Sequence, residues 1–252
     1  MPHLNALIWF ILTFPLLLFL KSWINQHLQG MVLLLFRSED AASLLYFMLL
    51  LPGVLIHEGS HWLMAKLLWV PTGKFTIGVN HKRGDRLELG SIRVGKVDPI
   101  RSSLIGLAPL VGGSLVILLI GRWALDVEAL AKAFQGGEAN YIIAELWGAL
   151  HVPDFWLWLY LVFAISNTML PSASDRRSWP SALIFLGGLI ALLYFTGWVP
   201  PLRSRLTGLL PNALSHLNLA FTLTLTVDVV FALLILLLET LLTRLTGWKV
   251  KY

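Results

Sequence analysis

Residues 44–70 read LLYFMLLLPGVLIHEGSHWLMAKLLWV, an apolar run of spanning length interrupted by His57, Glu58 and His61. About 20 predominantly apolar residues suffice for a helix to cross the hydrocarbon core. Ionisable side chains at that depth are costly, and they mark a protein interior or a functional site. Counting 1.5 Å per residue puts His57 about 20 Å from either end of the run. Positions 57 and 61 are four apart, so on a helix both imidazoles leave one face and reach a common point. A glutamate next to the first of them can serve as general base on a metal-activated water. Imidazole and carboxylate donors in a hydrolytic, redox-free setting fit zinc best. The bland alternative, a buried hydrogen-bond network of all three groups, needs a partner for each; the spacing favours the metal site.

Composition agrees with lipid as the solvent. Of 252 residues, 57% are hydrophobic and 13% charged, and the mean hydropathy is +0.75. A soluble domain carries about 25% charged residues. The absence of cysteine excludes disulfides and any thiolate zinc site. The net charge of +5 sits in connecting loops, so it reads as membrane orientation and not as nucleic-acid binding. The first apolar run lacks the basic start and small-residue cleavage site of a secretory signal and reads as a retained anchor.

Six apolar segments predict an all-α polytopic membrane protein with about six spans: Leu4–Leu20, Leu44–Val70, Leu104–Ile120, Phe155–Leu170, Ala182–Val199 and Leu217–Leu242. Met31–Phe36 is too short to cross and is assigned to the interface. One membrane domain results: an anchor and interfacial segment over 1–43, a core over 44–181, and a C-terminal helix pair over 182–252. Six spans put both termini on one side with loops 71–103 and 171–181. That side holds twelve Lys and Arg against six opposite, where Lys21 is counted, so both termini are expected in the cytoplasm. The expected location is a bacterial plasma membrane, with the site toward its cytoplasmic side.

Alternating stretches within 72–98, punctuated by Gly84 and Gly90, predict a short β-hairpin or small sheet. Its unpaired edge could hold an extended peptide. Residues 122–153 mix Asp126, Glu128, Glu138, Glu145 and Asp154 with apolar positions, a pattern for amphipathic surface helices. A catalytic zinc needs a third protein ligand. Asp175 is the candidate, because Pro171 ends the preceding helix and frees the chain to fold back. The competing reading pairs Asp175 with Arg176 or Arg177. Asp228, mid-way along the last apolar run, reads as a structural hydrogen-bonding group or a partner for a basic residue. His3, His27, His81, His151 and His216 read as solvated.

An HExxH motif early in a hydrophobic chain, a β element after it and a later Asn-to-Asp segment closing a span resemble the site-2 protease family of intramembrane zinc metalloproteases. The resemblance covers about Leu44 to Asp175, including Gly106-Leu107-Ala108-Pro109-Leu110-Val111-Gly112-Gly113 in the third span. It implies His57, His61 and Asp175 as ligands of one zinc ion and Glu58 as catalytic base. Asn167 would position the substrate backbone or stabilise an oxyanion, against the competing reading of a polar residue hydrogen-bonding between helices, and the substrate would be a transmembrane protein. The chain departs from the family pattern in two places. Pro171 follows Asn167 by four residues instead of three, and Arg176 replaces a glycine after the aspartate. The rival readings are a metal transporter or sensor, with Pro52-Gly53 as a mid-membrane helix break, and a pseudoprotease that binds without cutting.

Overall fold

The computed structural model describes residues 2–82, 86–95, 97–127, 129, 132–133, 138–172, 174–196, 199–248 and 250. The turn expected around Gly84 and the acidic position Glu128 lie outside them. Helix α1 covers Pro2–Phe36 and α2 Glu39–Leu67; strands β1 (Thr72–Lys82) and β2 (Arg86–Val94) follow. Then come α3 (Pro99–Trp123), α4 (Ala139–Leu150), α5 (Phe155–Met169), α6 (Trp179–Phe195) and α7 (Val199–Thr246). Among the described residues, four helices are long and apolar enough to cross a membrane: Leu7–Phe36, Glu39–Leu67, Pro99–Trp123 and Asn212–Thr246. Together with apolar side chains left exposed along them, such as Phe19, Leu63, Leu115 and Leu233, they make this a helical membrane protein.

The expectation of six spans changes in detail. α5 has 15 residues, too few to cross unaided, and α6 has 17, at the lower limit of a span. The α4–α5 pair qualifies only as one bent unit, with a 92° turn between Ile143–Leu150 and Phe155–Met169. Met31–Phe36 is no separate surface segment, since α1 runs through it without interruption.

Local signals set the helix ends. Ser38 caps α2 by accepting from the Ala41 N–H (3.4 Å), and Glu39 and Asp40 follow at the positive end of the helix dipole. Asp98 caps α3 through the N–H groups of Ile100 (3.1 Å) and Arg101 (3.0 Å), with Pro99 in the first turn. α5 stops because Leu170 precedes Pro171 and is forced extended (ψ 133°). Pro52 does not break α2, which is continuous to Leu67.

Partner order fixes helix direction. Trp9 donates to Thr222 (3.0 Å), Phe14 stacks on Phe221, His27 meets Glu239 (2.7 Å) and Arg37 lies over Trp248. From the first two pairs to the last two both numbers rise, so α1 and α7 run parallel, and Pro2 and Thr246 lie at opposite ends of the pair. Six spans would have brought the two termini to one side; this packing does not. His27, read as solvated, is bound within the pair.

α2 and α5 are also parallel: Tyr160 donates to the Leu49 carbonyl (3.0 Å) and His57 to the Thr168 carbonyl (2.7 Å). Between those contacts Gly53 lies against the Ala164 carbonyl, leaving no room for a Cβ. Such small residues let helix backbones approach where lipid supplies no hydrophobic drive. α3 packs on both, and the core is filled by Leu50, Ile117, Val162, Ile165 and Met169. The two strands pair antiparallel, with Phe75 opposite Ile92 and Ile77 opposite Gly90, and irregularities after Thr72 and Ile77. They rest on α2.

Candidate metal centre

α2 projects both histidines to one side, as the four-residue spacing requires. His57 Nδ1 faces the Thr168 carbonyl at 2.7 Å and His61 Nδ1 faces the Ile105 carbonyl at 2.8 Å. A carbonyl only accepts, so both Nδ1 atoms carry the proton and both Nε2 atoms keep a lone pair. Those Nε2 atoms are 3.2 Å apart. Asp175 completes the cluster, with Oδ1 3.3 Å from His61 Nε2 and Oδ2 3.8 Å from His57 Nε2. One ligand atom from each residue lies within 4.8 Å of the others.

Three acceptors at this spacing with no hydrogen between them repel one another unless a cation sits among them. Atoms bound at about 2.0–2.2 Å in a tetrahedron lie about 3.3–3.6 Å apart, close to the observed separations. Imidazole nitrogen and carboxylate oxygen are zinc donors, and backbone carbonyls on the far ring nitrogens are the usual way such ligands are oriented. The residues fit a zinc ion.

The Asp175 loop is held from several directions. The Ser172 N–H donates to Asp175 Oδ2 (2.7 Å), and Ser172 Oγ accepts from the Asp175 N–H (3.3 Å). Ser102 of α3 and Ser178 share a hydroxyl hydrogen bond (2.6 Å). Gly106 of α3 lies against the Asp175 backbone carbonyl, where any side chain would collide. Burial works to raise the Asp175 carboxyl, while a His61 ring that has taken a second proton and the hydrogen bonds from Ser172 lower it to about 2. It is a carboxylate at neutral pH. Neither Arg176 nor Arg177 pairs with it in any ion pair among the described residues.

Glu58 is buried at 7% exposure, and β2 crosses it at Gly90. A Cβ on Gly90 would come within 2.9 Å of Glu58 Cγ and 3.2 Å of Oε1. The sheet therefore roofs the residue beside the first histidine.

Compared with known proteins, the chain matches no protein-family model, no curated protein and no solved structure. The reading rests on geometry.

Asn167 does not join the cluster. Its Nδ2 donates to the Phe163 carbonyl of its own helix (3.0 Å) and to Asp228 Oδ1 of α7 (3.2 Å), so its amide protons are already engaged. The cause is Asp228, 2% exposed, which also takes the Ser166 hydroxyl at 2.6 Å. Lys21, counted in the sequence as a residue of the opposite face, donates from Nζ to the Leu170 carbonyl at 3.1 Å, in the segment that leads to Asp175. Its only sequence signal was a lone base closing a long apolar run. Thr168 and Ile105 act through backbone carbonyls, for which side-chain identity gives no signal.

Proposed function

We propose that this chain is an intramembrane zinc metalloprotease that hydrolyses a peptide bond within or near a transmembrane segment of a protein substrate. The observation that carries the reading is the convergence of two Nδ1-protonated imidazoles and a carboxylate on one point inside a helical membrane protein. His57, His61 and Asp175 would hold the ion. Bound zinc lowers the pKa of a coordinated water to about 7 and polarises a carbonyl. Glu58 follows the first ligand directly; its carboxylate accepts the proton and returns it to the leaving amine. The strands over Glu58 favour an extended substrate, paired at a sheet edge after its own helix has unwound. Proline substitutions along the free edge that leave cleavage unchanged would remove that docking mode.

The continuity of α2 through Pro52-Gly53 speaks against a transporter that breaks a helix at the site. A glutamate beside the ligand pair favours hydrolysis over passive carriage or binding without cleavage. For topology we favour five crossings, by α1, α2, α3, the bent α4–α5 pair and α7, with α6 returning without crossing. An odd number keeps α1 parallel to α7 and α2 parallel to α5; counting α6 would reverse α7. The basic residues between α2 and α3 and after α5 put that face in the cytoplasm. The N-terminus then lies inside and the C-terminus outside.

The test is metal analysis of purified protein with cleavage of a transmembrane peptide. Glu58→Gln keeps zinc and loses turnover, whereas His57→Ala loses zinc. Proteolysis by Glu58→Gln would overturn the assignment of the base, and a zinc-free wild type would overturn the centre.

A further inference from the structure

α1 and α7 contribute no ligand, yet each sends one polar side chain to the end of α5, Lys21 half-buried and Asp228 buried. The last carbonyls of a helix have no partner within it. Here His57 Nδ1 takes Thr168 O (2.7 Å) and Lys21 Nζ takes Leu170 O (3.1 Å). One turn earlier, Asp228 Oδ1 accepts from Ser166 Oγ (2.6 Å) and Asn167 Nδ2 (3.2 Å). The carbonyl that orients His57 therefore sits between an α7 anchor and an α1 anchor. Beyond the α1 anchor the chain turns at Pro171 and reaches Asp175 within five residues of Leu170.

These groups are expensive where they are. Asp228 is 2% exposed and Asn167 is 2% exposed, and both belong to apolar helices. Two helices needing only mutual adhesion would use apolar side chains, as Phe10, Phe14 and Phe221 do a few residues away. Ionisable groups kept in such surroundings mark function more often than adhesion. Both anchors grip one turn of α5, and that turn carries one ligand's hydrogen-bond acceptor and leads into the loop of another.

We propose that Lys21 and Asp228 are positioning residues for the metal centre: they clamp the C-terminal turn of α5 so that the Thr168 carbonyl and the Asp175 loop meet the α2 histidines. The proposal rests on the zinc reading of that centre. Partners that orient metal ligands are worth about 10–100-fold in metal affinity.

The experiment measures zinc affinity by chelator competition in detergent-purified wild type, Lys21→Met, Lys21→Arg, Asp228→Ala and Asp228→Asn. Each protein's thermal midpoint is also recorded without metal. Lys21→Met and Asp228→Ala are expected to bind zinc about 10–100-fold more weakly. Lys21→Arg and Asp228→Asn, which keep a donor and an acceptor, recover most of the affinity. Zinc affinity equal to wild type in both deletion variants overturns the proposal. So does an affinity loss that only follows a fall in the metal-free midpoint, or a loss as large in the conservative variants. Where Lys21→Met does not fold, Ser166→Ala removes one arm of the α7 anchor and is read in the same way. A wild type that binds no zinc removes the metal reading itself, and the positioning role with it.

Discussion

The α2–α3–α5 unit and the α1–α7 pair are both apolar helix assemblies, but they are joined differently. In the first, backbones touch: Gly53 lies on the Ala164 carbonyl and Gly106 on the Asp175 carbonyl. In the second, side chains mediate, with Phe10 and Phe14 stacked on Phe221 and Trp9 bonded to Thr222. A backbone contact fixes separation to within a fraction of an ångström, because neither partner can change rotamer. A side-chain contact yields. The ligands of the candidate centre all come from, or just beyond, the rigid unit, where their separation must match a bond length.

The largest effect that would break this contrast comes from Gly106→Val. Its branched side chain would occupy the space of the Asp175 carbonyl, so the loop must move and one ligand with it. Loss of a protein ligand removes most of the zinc affinity, and we expect binding too weak to survive dialysis. Zinc retained at wild-type affinity would show that the close approach does not set the ligand position. Gly90→Ala is a narrower probe. Its methyl would press on Glu58 Cγ, the movable end of a side chain, so we expect a fall in kcat with zinc content unchanged. Equal loss of both would place the strand on the ligands and not on the base.

Acidity sharpens the same comparison. Zinc requires each imidazole with a free nitrogen, so protons compete with the metal for both histidines. Affinity therefore falls as pH is lowered from neutral and the rings take up protons. The Asp175 carboxyl, held at about 2, stays ionised through this range; it loses its charge only as pH falls through that lower value. Chelator competition carried from neutral pH into the acid range should show a loss of affinity set by the histidines before the carboxylate gives up its charge. A flat profile would mean that the pair is not the ligand set.

The histidine pair was legible in the sequence because helical period converts a spacing of four into a shared face. The strands were legible because alternation has a period of two. Asp175 was reached through Pro171, a residue whose stereochemistry ends a helix wherever it occurs. The number of crossings was not legible, because hydropathy cannot distinguish a short buried helix such as α5 from a spanning one. Direction was lost with it, and only the matched order of contacts between α1 and α7 reveals that they are parallel. Asn167 stood between a substrate role and an inter-helix hydrogen bond for a related reason. Its amide is claimed by Asp228, 61 residues away in sequence, and no local pattern announces such a pairing.

Two smaller effects separate packing from positioning. Phe221→Ala removes a fully buried ring from the α1–α7 pair, so it should lower the thermal midpoint while leaving zinc affinity unchanged. A parallel loss of zinc would mean that the aromatic stack, and not only the polar anchors, reaches the metal centre. Gly187→Ala in α6 should do least. No atom lies within 4 Å of a Cβ placed there, among the described residues, and alanine is the better helix former by about 1 kcal/mol. A wild-type or slightly raised midpoint and an unchanged zinc affinity are expected. A clear loss of zinc would instead mean that the outer face of α6 is occupied by part of the working protein, which would draw α6 into the rigid unit from which it is here excluded.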